Sequence, residues 1–158
     1  MDRVTAAIAL GSNLGDRHAH LDYAVLALAS LLDNLRVSTY HETLPVGMSA
    51  PQPLFLNAAA VGETTRSART LLDALLQIEQ ARGRERPHGR ASRTLDLDLI
   101  LWGDVRVEEP GLIVPHPRFR DRRFVLAPLA EIGPELRDPV SGRTIDELLR
   151  QLPPDAAG

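Results

Sequence analysis

The sequence predicts an α+β domain built on an antiparallel β-sheet with helices packed against it. Short apolar segments with a period of two alternate with longer segments of helical periodicity. The predicted elements follow one another in the order β-α-β-β-α-β. A chain of 158 residues with 44% hydrophobic residues is long enough to bury one core. We therefore expect a single domain over residues 1–158, with 153–158 as a flexible tail.

The first half of the chain supplies three strands and a helix. Residues 4–13 are a buried strand that ends in turn residues, and apolar positions at helical spacing predict a helix over 17–32. Alternation predicts the second strand over 35–42 and the third over 54–63. Between them, residues 43–53 contain three Pro and one Gly, which predicts a loop.

The second half adds a helix, a strand with two aspartates and a C-terminal extension. Ser67 is the predicted N-cap of a helix that ends near Gly83, and 94–102 form the fourth strand of the motif. Beyond it we expect a short strand, a Pro-rich loop, and two helices at 122–131 and 144–152. The order predicts a ferredoxin-like fold, in which an antiparallel sheet carries two helices on one face, extended here by the C-terminal loop and helices.

Composition restricts the function classes. The chain has no Cys, which excludes disulfides, thiolate chemistry and Cys-ligated zinc. Its 18 basic residues are all Arg, so neither a Schiff-base Lys nor a Walker-type Lys exists. No apolar run reaches the length of a membrane span, and the N-terminus lacks the layout of a signal peptide. We expect a cytoplasmic protein that binds no membrane.

The segment "RTLDLDLILWG" (93–103) carries two carboxylates on a predicted strand. Alternation places Asp96, Asp98 and Ile100 on the open face of the sheet and the leucines on the face beneath the helices. That leucine face comprises Leu95, Leu97, Leu99 and Leu101. Asp is a poor strand former, and no basic residue alternates with the pair to neutralise it. We therefore predict that a metal ion supplies the missing positive charge.

Mg²⁺ is the ion that this pattern favours. It takes one or two carboxylates from the protein and completes its shell with water and substrate phosphates. A pair of Asp can hold two such ions around a triphosphate. Five Arg within 82–93, opposed only by Glu85, would neutralise the remaining phosphate charge.

Polar and aromatic residues elsewhere are candidates for ligand contacts. His116 lies between two prolines in "VPHPRFRDRRF" and could bond a phosphate oxygen. Asn13 ends the first strand and Asn57 interrupts the apolar third strand. Two such amides could recognise the edge of a flat heterocycle, against which Phe55 or Phe124 could stack.

Four motifs in a fixed order carry a family resemblance. "ALGSNLGDR", "FLNAA", "RTLDLDLI" after an Arg-rich loop, and "VPHPRFRDRRFVLAPLAEI" resemble 6-hydroxymethyl-7,8-dihydropterin pyrophosphokinase of folate biosynthesis. The resemblance covers residues 8–136. It implies an ATP-dependent diphosphotransferase that uses two Mg²⁺ ions, binds ATP and the pterin, and releases AMP and the pterin pyrophosphate. We further expect a monomer that binds no nucleic acid.

The resemblance also implies roles for individual residues. The implied catalytic residues are Arg84, Arg93, Asp96 and Asp98, and the two Asp are the implied metal ligands. The implied ATP-binding residues are Glu79, Arg84, Arg86, Arg93, Leu99, His116 and Arg122. The implied pterin-binding residues are Asn13, Thr43, Leu44, Val46, Phe55, Asn57, Asp96 and Phe124.

The chain departs from the family pattern in its loops. Gly89 stands where a basic residue is usual, Arg90 where relatives can carry an aromatic that closes over the pterin, and Leu44 where Pro is common. The loop over 83–93 is one residue shorter than in some relatives, so Arg84 and Arg86 are alternatives for one phosphate contact.

Two other functions compete with this interpretation. A two-metal nucleotidyl transferase of the palm or cyclase type also carries carboxylates on a β-α-β-β-α-β core, but it would release pyrophosphate. A nucleic-acid-binding module would explain the Arg clusters, but the net charge of −3 argues against it.

Overall fold

The computed structural model describes residues 2–43, 54–82 and 94–153. Of the predicted tail, residues 154–158 lie outside these ranges. The elements of the described residues are, in chain order, β1 (Val4–Ser12), α1 (Arg17–Leu31), β2 (Asp33–Val37), β3 (His41–Thr43), β4 (Phe55–Thr64), α2 (Ala68–Ala81), β5 (Asp96–Trp102), β6 (Val107–Glu109), β7 (Leu112–Val114), the 3-10 turn Phe119–Asp121, α3 (Arg123–Ile132) and α4 (Ile145–Gln151). The predicted α+β class and its β-α-β-β-α-β order are confirmed.

One antiparallel sheet of five strands organises the domain. Its order is β2-β4-β1-β5, and β3 pairs with β4 as well. The central strand β1 pairs with β4 over its whole length, from Val4 opposite Thr64 to Ser12 opposite Leu56. A central strand is covered on both faces, which is why β1 is an almost unbroken apolar run.

The predicted strand over 35–42 is wrong in one respect, because the chain forms two short strands there. Both β2 and β3 pair with β4. At the break, Ser38 N donates to Ala59 O at 2.9 Å, and the Ser38 hydroxyl accepts from Ala59 N at 2.9 Å. A side chain thus replaces a main-chain carbonyl in the ladder, so the strand direction changes without leaving Ala59 unsatisfied.

Helices α1 and α2 cover one face of the sheet. The side chain of Asp16 caps α1, and the predicted N-cap Ser67 accepts from Thr70 N at 3.1 Å to begin α2. Their apolar faces, which include Leu28 and Leu75, pack on Leu97 and Leu99 of β5 and on the inner face of β1. This layer is the helix-covered face that the sequence predicts.

The sequence prediction implied that the opposite face of the sheet is open, but part of this face is covered. Helices α3 and α4 cover it with a second core that includes Phe119, Leu126 and Leu129. The predicted position of Leu101 is also wrong, because Leu101 belongs to this second core. A register shift opposite Ala7 and Ile8 inserts one extra residue in β5. Such a bulge reverses the alternation beyond it.

The C-terminal extension holds one strand more than predicted. Strands β6 and β7 form a hairpin in place of a single short strand. Gly111 at its tip has a φ of 77°, a conformation that glycine adopts without strain. None of the helices in the described ranges is long and apolar enough to cross a membrane.

Candidate active site

A row of residues crosses the sheet beyond the apolar residues that pack against α3 and α4. Gly11 in β1 pairs with Asn57 in β4 on one side and with Asp96 in β5 on the other. Residues directly opposite each other in antiparallel strands share a face. Asn57 and Asp96 therefore point to the same side of the sheet, with only Gly11 between them.

Gly11 is a candidate site residue that the motif-based prediction does not include. A Cβ atom there would lie 3.2 Å from Oδ1 of Asn57 and 4.0 Å from Cδ1 of Phe55. The glycine thus leaves a strip of backbone without a side chain beside an amide and an aromatic ring. The available signal is a Gly inside an apolar strand, which often marks a place where a ligand approaches the backbone.

Four of the residues implied for pterin binding lie together around this strip. Asn57 is buried and its Nδ2 donates to Oγ1 of Thr43. That bond orients the amide so that Oδ1 faces Gly11. Thr43 pairs with Phe55 across the β3–β4 ladder, and Asn13 is buried at the end of β1. Leu44 and Val46 lie outside the described residues.

The two aspartates project from the same face of β5. Asp96 pairs with Gly11 and Asp98 pairs with Ala9, and both carboxylates are partly exposed. In the described parts of the chain, no cluster of three or more His, Cys, Asp or Glu side chains could hold a metal ion. Mg²⁺ needs only one or two carboxylates when phosphates and water complete its shell. The donor set therefore fits a metal that arrives with phosphates.

Glu79 supports the strand between these aspartates. Its side chain is buried at the end of α2, and Oε2 accepts from Leu97 N at 2.6 Å. Leu97 separates Asp96 from Asp98, so the bond fixes the backbone from which both carboxylates project. The family resemblance implies that Glu79 lies near the nucleotide, and the structure places its carboxylate against the backbone between the two aspartates.

His116 is held against the same strand. Its backbone N–H donates to Ile100 O at 3.0 Å, and its ring Nδ1 accepts from Arg118 N at 3.1 Å. The proton of the neutral ring is therefore assigned to Nε2. Burial lowers the pKa of His116 and the Arg122 guanidinium lowers it further, whereas Asp96 acts in the opposite direction. At neutral pH the ring is a neutral donor through Nε2.

A pocket of about 260 Å³ opens beside Asp98 at the β5 edge of the sheet. Its walls are largely apolar, and Leu99, which the sequence implies as an ATP-binding residue, is part of them. Such a lining suits a flat base better than a phosphate. The lining residues are Leu72, Leu97, Asp98, Leu99, Gly111, Leu112, Ile113, His116 and Pro117.

Arg122 connects the two groups of implied ligand-binding residues. Its guanidinium carbon lies 5.5 Å from the centroid of the Phe124 ring, a cation–π contact at the start of α3. An implied ATP-binding cation therefore contacts an implied pterin-binding ring. Arg84, Arg86 and Arg93 lie outside the described residues.

The fold and the site define a class of protein, namely a ferredoxin-like α+β domain with a carboxylate pair on one strand beside an apolar pocket. The family model of 7,8-dihydro-6-hydroxymethylpterin-pyrophosphokinase (HPPK) matches residues 7–134. The chain belongs to this family.

Named relatives agree with this assignment, and a solved structure shares the fold. A protein of Synechocystis sp. named 2-amino-4-hydroxy-6-hydroxymethyldihydropteridine pyrophosphokinase is 41% identical over 149 residues, which cover 93% of this chain and 75% of the relative. A Bacillus subtilis protein of the same name is 42% identical over 144 residues, or 90% and 86% of the two chains. A Plasmodium falciparum HPPK-DHPS structure has a TM-score of 0.70 at 16% identity, covering 93% of this chain and 43% of that chain. That likeness concerns the fold alone.

Proposed function

We propose that the chain transfers pyrophosphate from ATP to the hydroxymethyl group of 6-hydroxymethyl-7,8-dihydropterin, giving AMP and the pterin pyrophosphate for folate biosynthesis. Membership of the HPPK family supports this reaction. The observation that carries it in the structure is the row of Asn57, Gly11 and Asp96 across three strands. It puts an amide suited to a heterocycle beside a carboxylate suited to a phosphate-bound metal.

The pterin lies over the bare backbone of Gly11 in this proposal. The amides of Asn57 and Asn13 bond the edge of the heterocycle, because each offers both a donor and an acceptor. Phe55 and Phe124 supply the aromatic surfaces for stacking. The hydroxymethyl group then points along the row towards Asp96.

ATP occupies the other side of the same carboxylates. Its base lies in the pocket that includes Leu99, and its phosphates extend towards Asp96 and Asp98, which would hold two Mg²⁺ ions. The bound metal would neutralise triphosphate charge. His116 donates its Nε2–H to a phosphate oxygen and Arg122 bonds the phosphates through its guanidinium.

The chemical step requires positioning and charge neutralisation from the protein. The pterin hydroxyl attacks the β-phosphorus and loses its proton to solvent, the bond between the β-phosphorus and the bridging α-phosphate oxygen breaks, and AMP leaves. Arg84, Arg86 and Arg93 are proposed, from the sequence, to neutralise the developing charge. Rigid strands carry residues proposed to bind the pterin and residues proposed to bind the phosphates. Both substrates are therefore held in line before reaction.

An assay that identifies the products tests this proposal. Purified protein with ATP, Mg²⁺ and the pterin should form AMP, and chelation of the metal should abolish its formation. Asp96→Asn and Asp98→Asn should each lower kcat at least about a hundredfold, or about 2.7 kcal/mol. The control Asp104→Asn, in the exposed turn after β5, should keep wild-type activity.

Two results would contradict the proposal. Formation of pyrophosphate in place of AMP would indicate a nucleotidyl transferase. Retention of more than about a tenth of the wild-type rate in either Asp variant would exclude the carboxylate pair as the metal site.

A further inference from the structure

Arg17 bonds two strand segments that border the proposed pterin site, namely β3 and the residue before β4. Its Nη1 donates to Leu54 O at 2.6 Å, and its Nη2 donates to Oε2 of Glu42 at 2.7 Å. Leu54 immediately precedes Phe55, and Glu42 immediately precedes Thr43. One guanidinium therefore bonds β3 and the residue before β4, next to Thr43 opposite Phe55, the last pair of their ladder.

The same residue also belongs to a third segment of the site. Arg17 is the first residue of α1, four positions after the buried Asn13 at the end of β1. The three segments that carry Asn13, Thr43 and Phe55 are thus joined by one side chain. We infer that Arg17 is a positioning residue for pterin binding, acting through Glu42 and Leu54.

Strand β3 needs such a contact because its own pairing is short. It has three residues and pairs only with β4 among the described strands. Short edge strands are weakly held by their ladders alone. The Arg17 side chain is only 23% exposed, and both of its bonds are short and charge-assisted. We call the bonds from Arg17 to Glu42 and Leu54 the clamp. Loss of the clamp should therefore let Thr43 move away from the Asn57 amide to which it is bonded.

Arg3 provides a matched control at the opposite end of the same sheet. It also bridges two strands, with Nη1 3.2 Å from Oε1 of Glu63 and Nη2 3.3 Å from Oδ2 of Asp33. Its side chain is 52% exposed and borders none of the proposed ligand-binding residues. Removing Arg3 tests the general effect of losing a two-strand ion pair.

The test is the binding of each substrate to Arg17→Gln, Arg17→Lys and Arg3→Gln. Calorimetry measures the affinity for 6-hydroxymethyl-7,8-dihydropterin in the presence of a non-hydrolysable ATP analogue with Mg²⁺, and the affinity for that analogue alone. Arg17→Gln should lower the pterin affinity about tenfold, the scale of one lost charge-assisted contact, and change the analogue affinity less than about twofold. Arg17→Lys should restore part of the loss, since it keeps the charge but not the fork. Arg3→Gln should change neither affinity.

The inference rests on the proposed function, and the two fail in different ways. If wild-type protein neither binds the pterin nor forms AMP, the proposed function fails and this inference with it. If wild type is active and Arg17→Gln binds the pterin normally, the inference alone is wrong. Equal loss of both affinities would show a merely structural role and would also overturn it. Should Arg17→Gln not fold, Glu42→Gln decides: a selective loss of pterin affinity supports the clamp, and wild-type affinity contradicts it.

Discussion

Asp138 is the buried charge whose removal should destabilise this domain most clearly. Its side chain is 0% exposed, and Arg120 donates to both of its oxygens, at 2.6 and 2.9 Å. Val140 N and the N–H and hydroxyl of Ser141 donate as well. The network joins the segment between α3 and α4 to the 3-10 turn, immediately before Arg122.

The substitution Asp138→Asn keeps the size of the side chain but removes its charge and one acceptor. Placed at the Oδ2 position, the new NH₂ group would face donors from Arg120 and Ser141. At the Oδ1 position it would face donors from Arg120 and Val140. Breaking a buried charge pair from one side costs about 3–5 kcal/mol. Since Arg120 remains 24% exposed and can be rehydrated, we expect the free energy of unfolding to fall by about 3 kcal/mol.

Equilibrium unfolding in urea, followed by circular dichroism, measures this change. The control Asp146→Asn removes an exposed partner of Arg150 in α4, so its effect should stay within about 0.5 kcal/mol. A loss below about 1 kcal/mol for Asp138→Asn would refute the assigned energetic role of the buried pair.

The same pair predicts a pH dependence with a definite sign. Burial raises the pKa of Asp138, but hydrogen bonds from Arg120, Ser141 and Val140 outweigh it and hold the pKa well below the usual 3.8. A lowered pKa stabilises the folded state above the unfolded-state pKa and loses this contribution as the pH falls towards the folded-state value. The stability difference between wild type and Asp138→Asn should be constant above about pH 5 and should shrink below about pH 4. A difference that stays constant down to about pH 2 would contradict this cause.

Three further predictions concern the substrate contacts. Asn57→Ala should weaken pterin binding at least about tenfold and ATP binding little, because the Asn57 amide faces the Gly11 strip. Equal weakening of both affinities in a binding titration would remove Asn57 from the pterin site. Gly11→Ala should also weaken pterin binding selectively, since the new Cβ would lie 3.2 Å from the Asn57 amide oxygen; unchanged affinity would show that the pterin lies elsewhere. The pKa of His116 is lowered in the free protein mainly by burial. It should rise when a non-hydrolysable ATP analogue binds, because phosphate anions favour the imidazolium. An unchanged NMR titration would place the phosphates away from this ring.

Local sequence signals predict the order of elements and much of the site. Hydrophobic periodicity identifies the helices and strands, and the capping hydroxyl of Ser67 marks the start of α2 because a cap acts within a few residues. Alternation alone places Asp96 and Asp98 on one face of a strand, as the structure confirms. These features depend on residues that are close together in the sequence. They can therefore be predicted without knowing which strands pair.

Tertiary structure decides what depends on contacts between distant residues. The split between β2 and β3 depends on Ser38 bonding Ala59, and the reversed position of Leu101 depends on a bulge opposite β1. The bulge adds one residue to β5, and because Ile100 and Leu101 are both apolar, hydrophobic alternation does not reveal it.

The candidate site follows the same division. The sequence alone identified the family and predicted the residue types for metal, phosphate and heterocycle binding. The tertiary structure decided that Gly11 lies between Asn57 and Asp96, that α3 and α4 cover the rest of that face, and that Arg17 joins the ends of β3 and β4. Strand register sets these neighbours, and register is settled by packing and pairing among residues that lie tens of positions apart in the chain.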